Sequence, residues 1–229
     1  MLNIPQDERL LEALACSLDI LYEDNEILVV DKPPTLPMHP SRNHQGNTLA
    51  NAVAAYRQVT FRAAGRLDKG TSGVVVCCLH AFAAAKLNGK VDKTYLALVH
   101  GIYSGTGSMR NVIYRPDPMC TVRACRDYED ACAPGDETAV THWEALANNG
   151  EITLLRIKLE TGRTHQIRVH FAHFGTPLVG DDYYGAPEWD KPGHALHCAK
   201  AEIVHPVTGQ AMVFEAPMPE AMQSMVSAL

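Results

Sequence analysis

The chain has 229 residues, of which 46% are hydrophobic and 20% charged, and its formal net charge is -6. That length suits one large domain or two small ones with a substantial core, and no apolar run approaches the roughly 20 residues that span a bilayer. Net acidity argues mildly against a nucleic-acid binder, yet from Arg57 to Lys93 the bases (Arg57, Arg62, Arg66, Lys69, Lys86, Lys90, Lys93) face only Asp68 and Asp92, so one positive face is possible on an acidic protein.

In chain order, Met1 to Leu18 reads as either a short amphipathic helix or a loose arm. Its Asp7, Glu8, Arg9 and Glu12 are unlike a secretory signal. Ile20 to Asp31 reads as a hairpin turning at Glu23-Asp24-Asn25-Glu26, ended by Lys32-Pro33-Pro34 because proline cannot donate to a ladder. Thr48 opens a helical pattern through Leu49, Ala52, Val53 and Tyr56. The turn Gly65 to Gly73 precedes a β-branched buried strand, Val74 to Leu79, then a helix over His80 to Asn88 stopped at Gly89. Lys93 to Gly101 is a strand, and Ser104 to Asp136 reads as loop with short strands. Ala139 to Ala147 and Ile152 to Leu159 pair across Asn148-Asn149-Gly150. Thr161-Gly162-Arg163 leads into a helix from His165 to Phe174, and Ala195 to Val204 with Gln210 to Glu215 makes the last hairpin. The fold class expected is α+β with a mixed sheet.

Two constellations carry possible chemistry. Gly65-Arg66-Leu67-Asp68-Lys69-Gly70-Thr71-Ser72-Gly73 sets an acid beside an arginine on a Gly-rich turn against a core strand, which suits a reactive site but also an exposed loop with an incidental pair. A nucleotide P-loop does not fit, since Thr71 stands where the lysine should be and a strand follows. Thr161 to His170 gathers Arg163, His165, Gln166, Arg168 and His170 at a helix start, either an anion platform or a solvated face. The histidines His165, His170 and His173, or Cys120, Cys125 and Cys132, lack the paired spacing of a metal site, so no metal is expected. Seven cysteines, with Cys77 and Cys78 adjacent in a buried strand, suit reduced thiols in the cytoplasm.

Together the two constellations resemble the RluA-type pseudouridine synthases. Gly65 to Gly73 is similar to the family's H-R-L-D-x-x-T-S-G signature, and Thr161 to His170, with Gly180-Asp181 and Tyr184-Gly185, to its G-R-T-H-Q-I-R-x-H element. Ile20 to Pro34, Lys93 to Gly101 and Leu196-His197-Cys198 through Ala216-Pro217 extend the likeness over about Ile20 to Met218. The resemblance implies a pseudouridine synthase fold, with a mixed, largely antiparallel central sheet flanked by helices and loops. It further implies an arm or short helix over 1–19, a catalytic domain over 20–218 and a C-terminal tail over 219–229. The activity implied is isomerisation of uridine in structured ribosomal or transfer RNA, by a cytoplasmic monomer using neither cofactor nor metal. The N-glycosidic bond breaks, uracil rotates, and C5 joins C1′.

Carried over by position, Asp68 is the catalytic carboxylate, Arg168 its partner, and Tyr95 the ring that stacks on the flipped base. Arg66 enters the RNA stack; Arg163, His165, Gln166, Lys69 and Lys93 are expected on RNA, with Leu67, Ile167, Thr71 and Ser72 around the pocket. One essential carboxylate differs from the two that glycosidases use, and an arginine neighbour suits an ionised nucleophile or base. Flipping a base out of a helix costs a few kcal/mol, offset by phosphate contacts and stacking. Two departures stand out. Gly65 replaces the histidine before Arg-Leu-Asp, and fewer than twenty residues precede the first matching strand, too few for the N-terminal RNA-binding domain of some members. The competing readings are a non-catalytic RNA-binding or RNA-remodelling protein on the same fold and, more distantly, a nucleoside hydrolase with a second carboxylate near Asp68.

Overall fold

A computed structural model describes residues 17–41, 46–130, 134–185 and 189–227, so the arm or helix expected over Met1 to Leu18 lies almost wholly outside the described residues. The elements are β1 (Asp19–Glu23), β2 (Ile27–Lys32), α1 (Leu49–Arg57), β3 (Arg62–Ala63), β4 (Ser72–Cys78), α2 (Ala81–Leu87), β5 (Asp92–His100) and β6 (Thr106–Tyr114). After them come β7 (Ala124–Asp127), a 3-10 turn (Tyr128–Asp130), β8 (Glu137–Asn148), β9 (Ile152–Leu159), α3 (Gln166–His173), β10 (Leu196–Val204), β11 (Ala211–Glu215) and α4 (Glu220–Val226).

Among the described residues eleven strands form one sheet in the order β1-β2-β4-β10-β5-β9-β8-β6-β7, with β11 on β10 and β3 on β4. Every pairing is antiparallel but one: β4 runs parallel to β10, His197 opposite Ser72 and Cys198 opposite Gly73. Two antiparallel halves are thereby welded at the sheet's centre, and the loop entering β4, which carries Asp68, reaches the seam. The weld requires glycine at 73. A Cβ there would lie 2.2 Å from the Cys198 carbonyl oxygen, and the backbone has φ +108°.

The chemistry of the central strands explains their position. Ile27 to Val30 and Val74 to Val76 are fully buried, the unbroken apolar pattern of strands covered on both faces. Each such side chain contributes about 1.5–3 kcal/mol on burial. Leu49 and Val53 of α1, Ala83 and Leu87 of α2 and Phe171 of α3 complete this core. Thr48 caps α1 by accepting from the Asn51 amide. The segment expected as tail contains α4, whose Met222 is buried with Leu98, Leu154 and Val179.

The stretch Ser104 to Asp136 is more regular than expected. β6 is a nine-residue strand along β8, from Thr106 opposite Glu144 to Ile113 opposite Glu137. Its inward row Met109, Asn111, Ile113 carries a polar residue in the middle, which broke the apolar alternation; the buried Asn111 amide donates to the Arg126 carbonyl. At the other boundary, α3 begins at Gln166, one residue late, because His165 takes a left-handed conformation with φ 58°.

Candidate active site

Asp68 sits in the loop between β3 and β4, its chain tightened by the Thr71 amide donating to its carbonyl. Lys32, at the end of β2, props this loop from inside the protein. It is fully buried, and its Nζ donates to the carbonyls of Pro33, Leu36 and Lys69 at 2.9, 2.9 and 3.1 Å. Burial pulls the Lys32 amine down to about 7, while the nearby Asp68 and Asp31 charges resist. Three carbonyl acceptors match the three protons of an ammonium and so oppose, without cancelling, the effect of burial.

Arg168 comes from the buried face of α3 and is 4% exposed. Its Nε and Nη2 donate to Asp181 Oδ2 and Oδ1 at 2.7 and 2.8 Å, and its Nη1 to Asp68 Oδ2 at 3.3 Å. The guanidinium also lies over the rings of Tyr183 and Tyr184, 5.3 and 5.2 Å from their centroids. Asp181 is completely buried; burial works to raise its pKa, but the hydrogen bonds and charge of Arg168 outweigh it and hold the carboxyl below its usual range. The Asp68 side chain remains 27% exposed at the mouth of a narrow cleft of 80 Å³. Tyr95, Leu67, Ile167 and Leu196 wall that cleft. Tyr95 is buried, which keeps its phenol neutral well above the usual tyrosine range. His165 Nε2 stands 3.9 Å from Asp68 Oδ2, and its Nδ1 lies 3.0 Å from the Tyr184 hydroxyl, which accepts the Arg123 amide. Burial lowers the His165 pKa and favours the neutral ring, against the pull of the Asp68 charge.

The expected site residues divide on this geometry. Asp68, Arg168, Tyr95, Leu67, Ile167, Thr71, Arg66, Arg163 and His165 all line the cleft. Lys69 lies on the other side of Asp68, in a second cavity with His194 and Tyr183, and Lys93 borders a third. Ser72 is not in the cleft wall; its hydroxyl meets His197 Nδ1 at 2.9 Å, within the β4–β10 seam. Gln166 borders the cleft, but its amide atoms are committed to protein partners. It is 3% exposed, its Oε1 accepts from Thr161 and the Arg163 amide, and its Nε2 donates to Val140 and Thr141. Arg163 binds Glu137 and the Thr138 carbonyl, leaving its guanidinium partly exposed. Among the described residues no three His, Cys, Asp or Glu side chains gather as a metal would require; His170 meets Thr141 and His173 faces Asp127. Cys77, Cys78, Cys120, Cys125 and Cys198 are free thiols.

Sequence reasoning missed three supports of the site: the role of Asp181, the buried prop Lys32, and His194, whose Nε2 meets Thr71 Oγ1 at 2.9 Å. The available signal for Asp181 was Arg168 itself, since an arginine on the apolar face of a helix needs a countercharge.

Comparison with known proteins agrees with this architecture. The family model described as RNA pseudouridylate synthase matches residues 26–173. An uncharacterized RNA pseudouridine synthase of Bacillus subtilis is 38% identical over 221 residues, 91% of this chain and 71% of the relative. The ribosomal large subunit pseudouridine synthase D of Haemophilus influenzae is 34% identical over 248 residues, 98% and 74% of the two chains. In structure, the human RNA pseudouridylate synthase domain containing 1 superposes with a TM-score of 0.71 at 24% identity, covering 93% of this chain and 94% of that one. That likeness is one of fold, a pseudouridine synthase domain of α+β class. The chain therefore belongs to the RNA pseudouridylate synthase family, its RluA branch, and is an RNA pseudouridine synthase, an isomerase.

Proposed function

We propose that Asp68 is the catalytic carboxylate of this isomerase, Arg168 the cation that orients it, and Tyr95 the ring that receives the flipped uracil. The observation that carries the reading is the three-way contact Asp68–Arg168–Asp181 at the mouth of a cleft walled by Tyr95, Leu67 and Ile167. Asp68 is the one carboxylate among the described residues lining that cleft, and Asp181 is bound side-on by Arg168. A hydrolase would want a second carboxylate free to activate water, so this arrangement favours isomerisation. The apolar walls hold the detached uracil while C1′ changes partner from N1 to C5. N1 then carries the proton that C5 releases, and excluding water keeps the sugar from being hydrolysed. Arg66, exposed beside the cleft, enters the stack from which the uridine leaves.

The substrate is a structured RNA, ribosomal or transfer, modified in the cytoplasm by a monomer whose catalytic domain spans 20–218. The H. influenzae relative is named for the large ribosomal subunit, which supports the ribosomal choice. No helix among the described residues is long and apolar enough to cross a membrane. The test is carbodiimide-adduct mapping, because isomerisation leaves mass unchanged. RNA from cells lacking the gene is incubated with wild type and with Asp68→Asn. Wild type restores specific pseudouridines and the variant restores none while binding the RNA with similar affinity; identical maps from the two proteins would overturn the assignment of Asp68.

A further inference from the structure

Gly65 departs from the family signature, and it faces a defined space. The residue is exposed with φ +91°, and a Cβ built on it would stand 3.0 Å from Lys93 Nζ. With no side chain there, the Lys93 ammonium borders a cavity of 580 Å³. Arg66, Tyr95 and Arg163 wall both this cavity and the Asp68 cleft, so the two open side by side.

The charges around the cavity are unevenly committed. Arg163 is bound to Glu137, and Glu160, the acid in the wall, lies 2.6 Å from His142. Among the described residues no hydrogen bond or ion pair reaches the Lys93 ammonium or the Arg66 guanidinium. Lys93 is largely enclosed by protein, and burial lowers its pKa. An enclosed ammonium without an acceptor, beside open space, is a position where an arriving anion gains a charge-assisted hydrogen bond. The substrate brings anions at fixed spacing, and those nearest the flipped uridine are the phosphodiesters on either side of it. A side chain at 65 would fill the gap through which the backbone approaches.

We propose that this cavity is a phosphate subsite for the nucleotide adjoining the reacting uridine, with Lys93 as its cation and Gly65 as the opening that admits the RNA backbone. The proposal rests on the reading of Asp68 as the reaction centre. It makes Lys93 a specificity determinant that senses the path of the strand beside the target and not the base itself.

The experiment uses an oligoribonucleotide containing a uridine that wild type modifies. Each phosphodiester within a few nucleotides of the target is replaced singly by an uncharged methylphosphonate. One replacement lowers wild-type kcat/KM by about tenfold, the loss of one charged hydrogen bond. With Lys93→Met the same replacement causes no further loss, because the variant already lacks that contact, while replacements elsewhere act on both proteins alike. Thermal melting of Lys93→Met establishes that it is folded. A wild-type scan in which no linkage stands out, or losses that multiply independently with Lys93→Met, overturns the subsite while leaving the synthase reading intact. Wild type that forms no pseudouridine in any RNA overturns both.

Discussion

Arg168 holds Asp181 more tightly than it holds Asp68. Two hydrogen bonds of 2.7 and 2.8 Å join it to the buried carboxylate, against one of 3.3 Å to the exposed one. The stronger pair fixes the guanidinium, and the weaker contact leaves the Asp68 carboxylate able to meet a substrate. Asp181→Asn keeps the shape but removes the countercharge from a buried arginine. The expected result is a loss of stability of about 3–5 kcal/mol and a fall in kcat larger than any rise in KM. Because the folded Asp181 pKa is depressed, its stabilisation is present above about pH 4 and is lost as pH falls further. Denaturation of wild type and variant at pH 7 and at pH 3 checks this: their difference shrinks on acidification.

Lys32 gives a pH dependence of the same sign in a higher pH window. Its folded pKa is about 7, below the ordinary lysine value near 10.4, so between those values the unfolded chain binds more protons than the folded one. Stability attributable to Lys32 therefore grows as pH rises from 7 toward 10. Lys32→Met leaves the Pro33, Leu36 and Lys69 carbonyls without their donor, at about 1–3 kcal/mol for each group that water cannot reach, and loosens the loop that carries Asp68. Urea midpoints at pH 7 and pH 9 should show wild type gaining on the variant, with activity reduced at both.

These two residues also mark where the sequence was readable. The strands and helices were legible because each rests on local periodicity and punctuation: Val74 to Leu79 is a short β-branched run, Thr48 a cap, Gly89 a stop. Asp68 and Arg168, a hundred positions apart, were joined only through the motifs that resemble a known family. Lys32 read as the polar end of a strand because nothing local says that three carbonyls will close over its amine. Gln166 and Ser72 stand within motif positions but are turned inward by partners from β8 and β10, contacts that no spacing rule encodes.

Buried imidazoles set the acid limit of the fold. Burial pushes His170 and His194 down to about 4 and lowers His165 and His197 as well. Each is neutral when folded and takes a proton on unfolding, so stability is full above about pH 6.5 and declines as pH falls toward the folded values. The melting temperature should drop between pH 6.5 and pH 4.5, above the range of ordinary carboxylates, although Asp31, raised to about 6 by burial, opposes the decline there. His170→Gln combined with His194→Gln should flatten that decline, and an unchanged slope in the double variant would exclude these rings as its source.

Binding of RNA should weaken with salt, but not through every base between Arg57 and Lys93. Arg57 is committed to Glu23 and reaches the Asp24 carbonyl, so it has little to offer a phosphate. Arg66 is exposed beside the reaction cleft, where an incoming strand must pass. A phosphate contact releases roughly one counterion, so each one removed lowers the slope of log affinity against log salt by about 1. Arg66→Ala should produce that decrease together with weaker binding, whereas Arg57→Ala should leave the slope where it was. Titrations of the same RNA across 50–200 mM salt separate the two, and equal slopes for Arg66→Ala and wild type would mean that Arg66 meets bases and no phosphate.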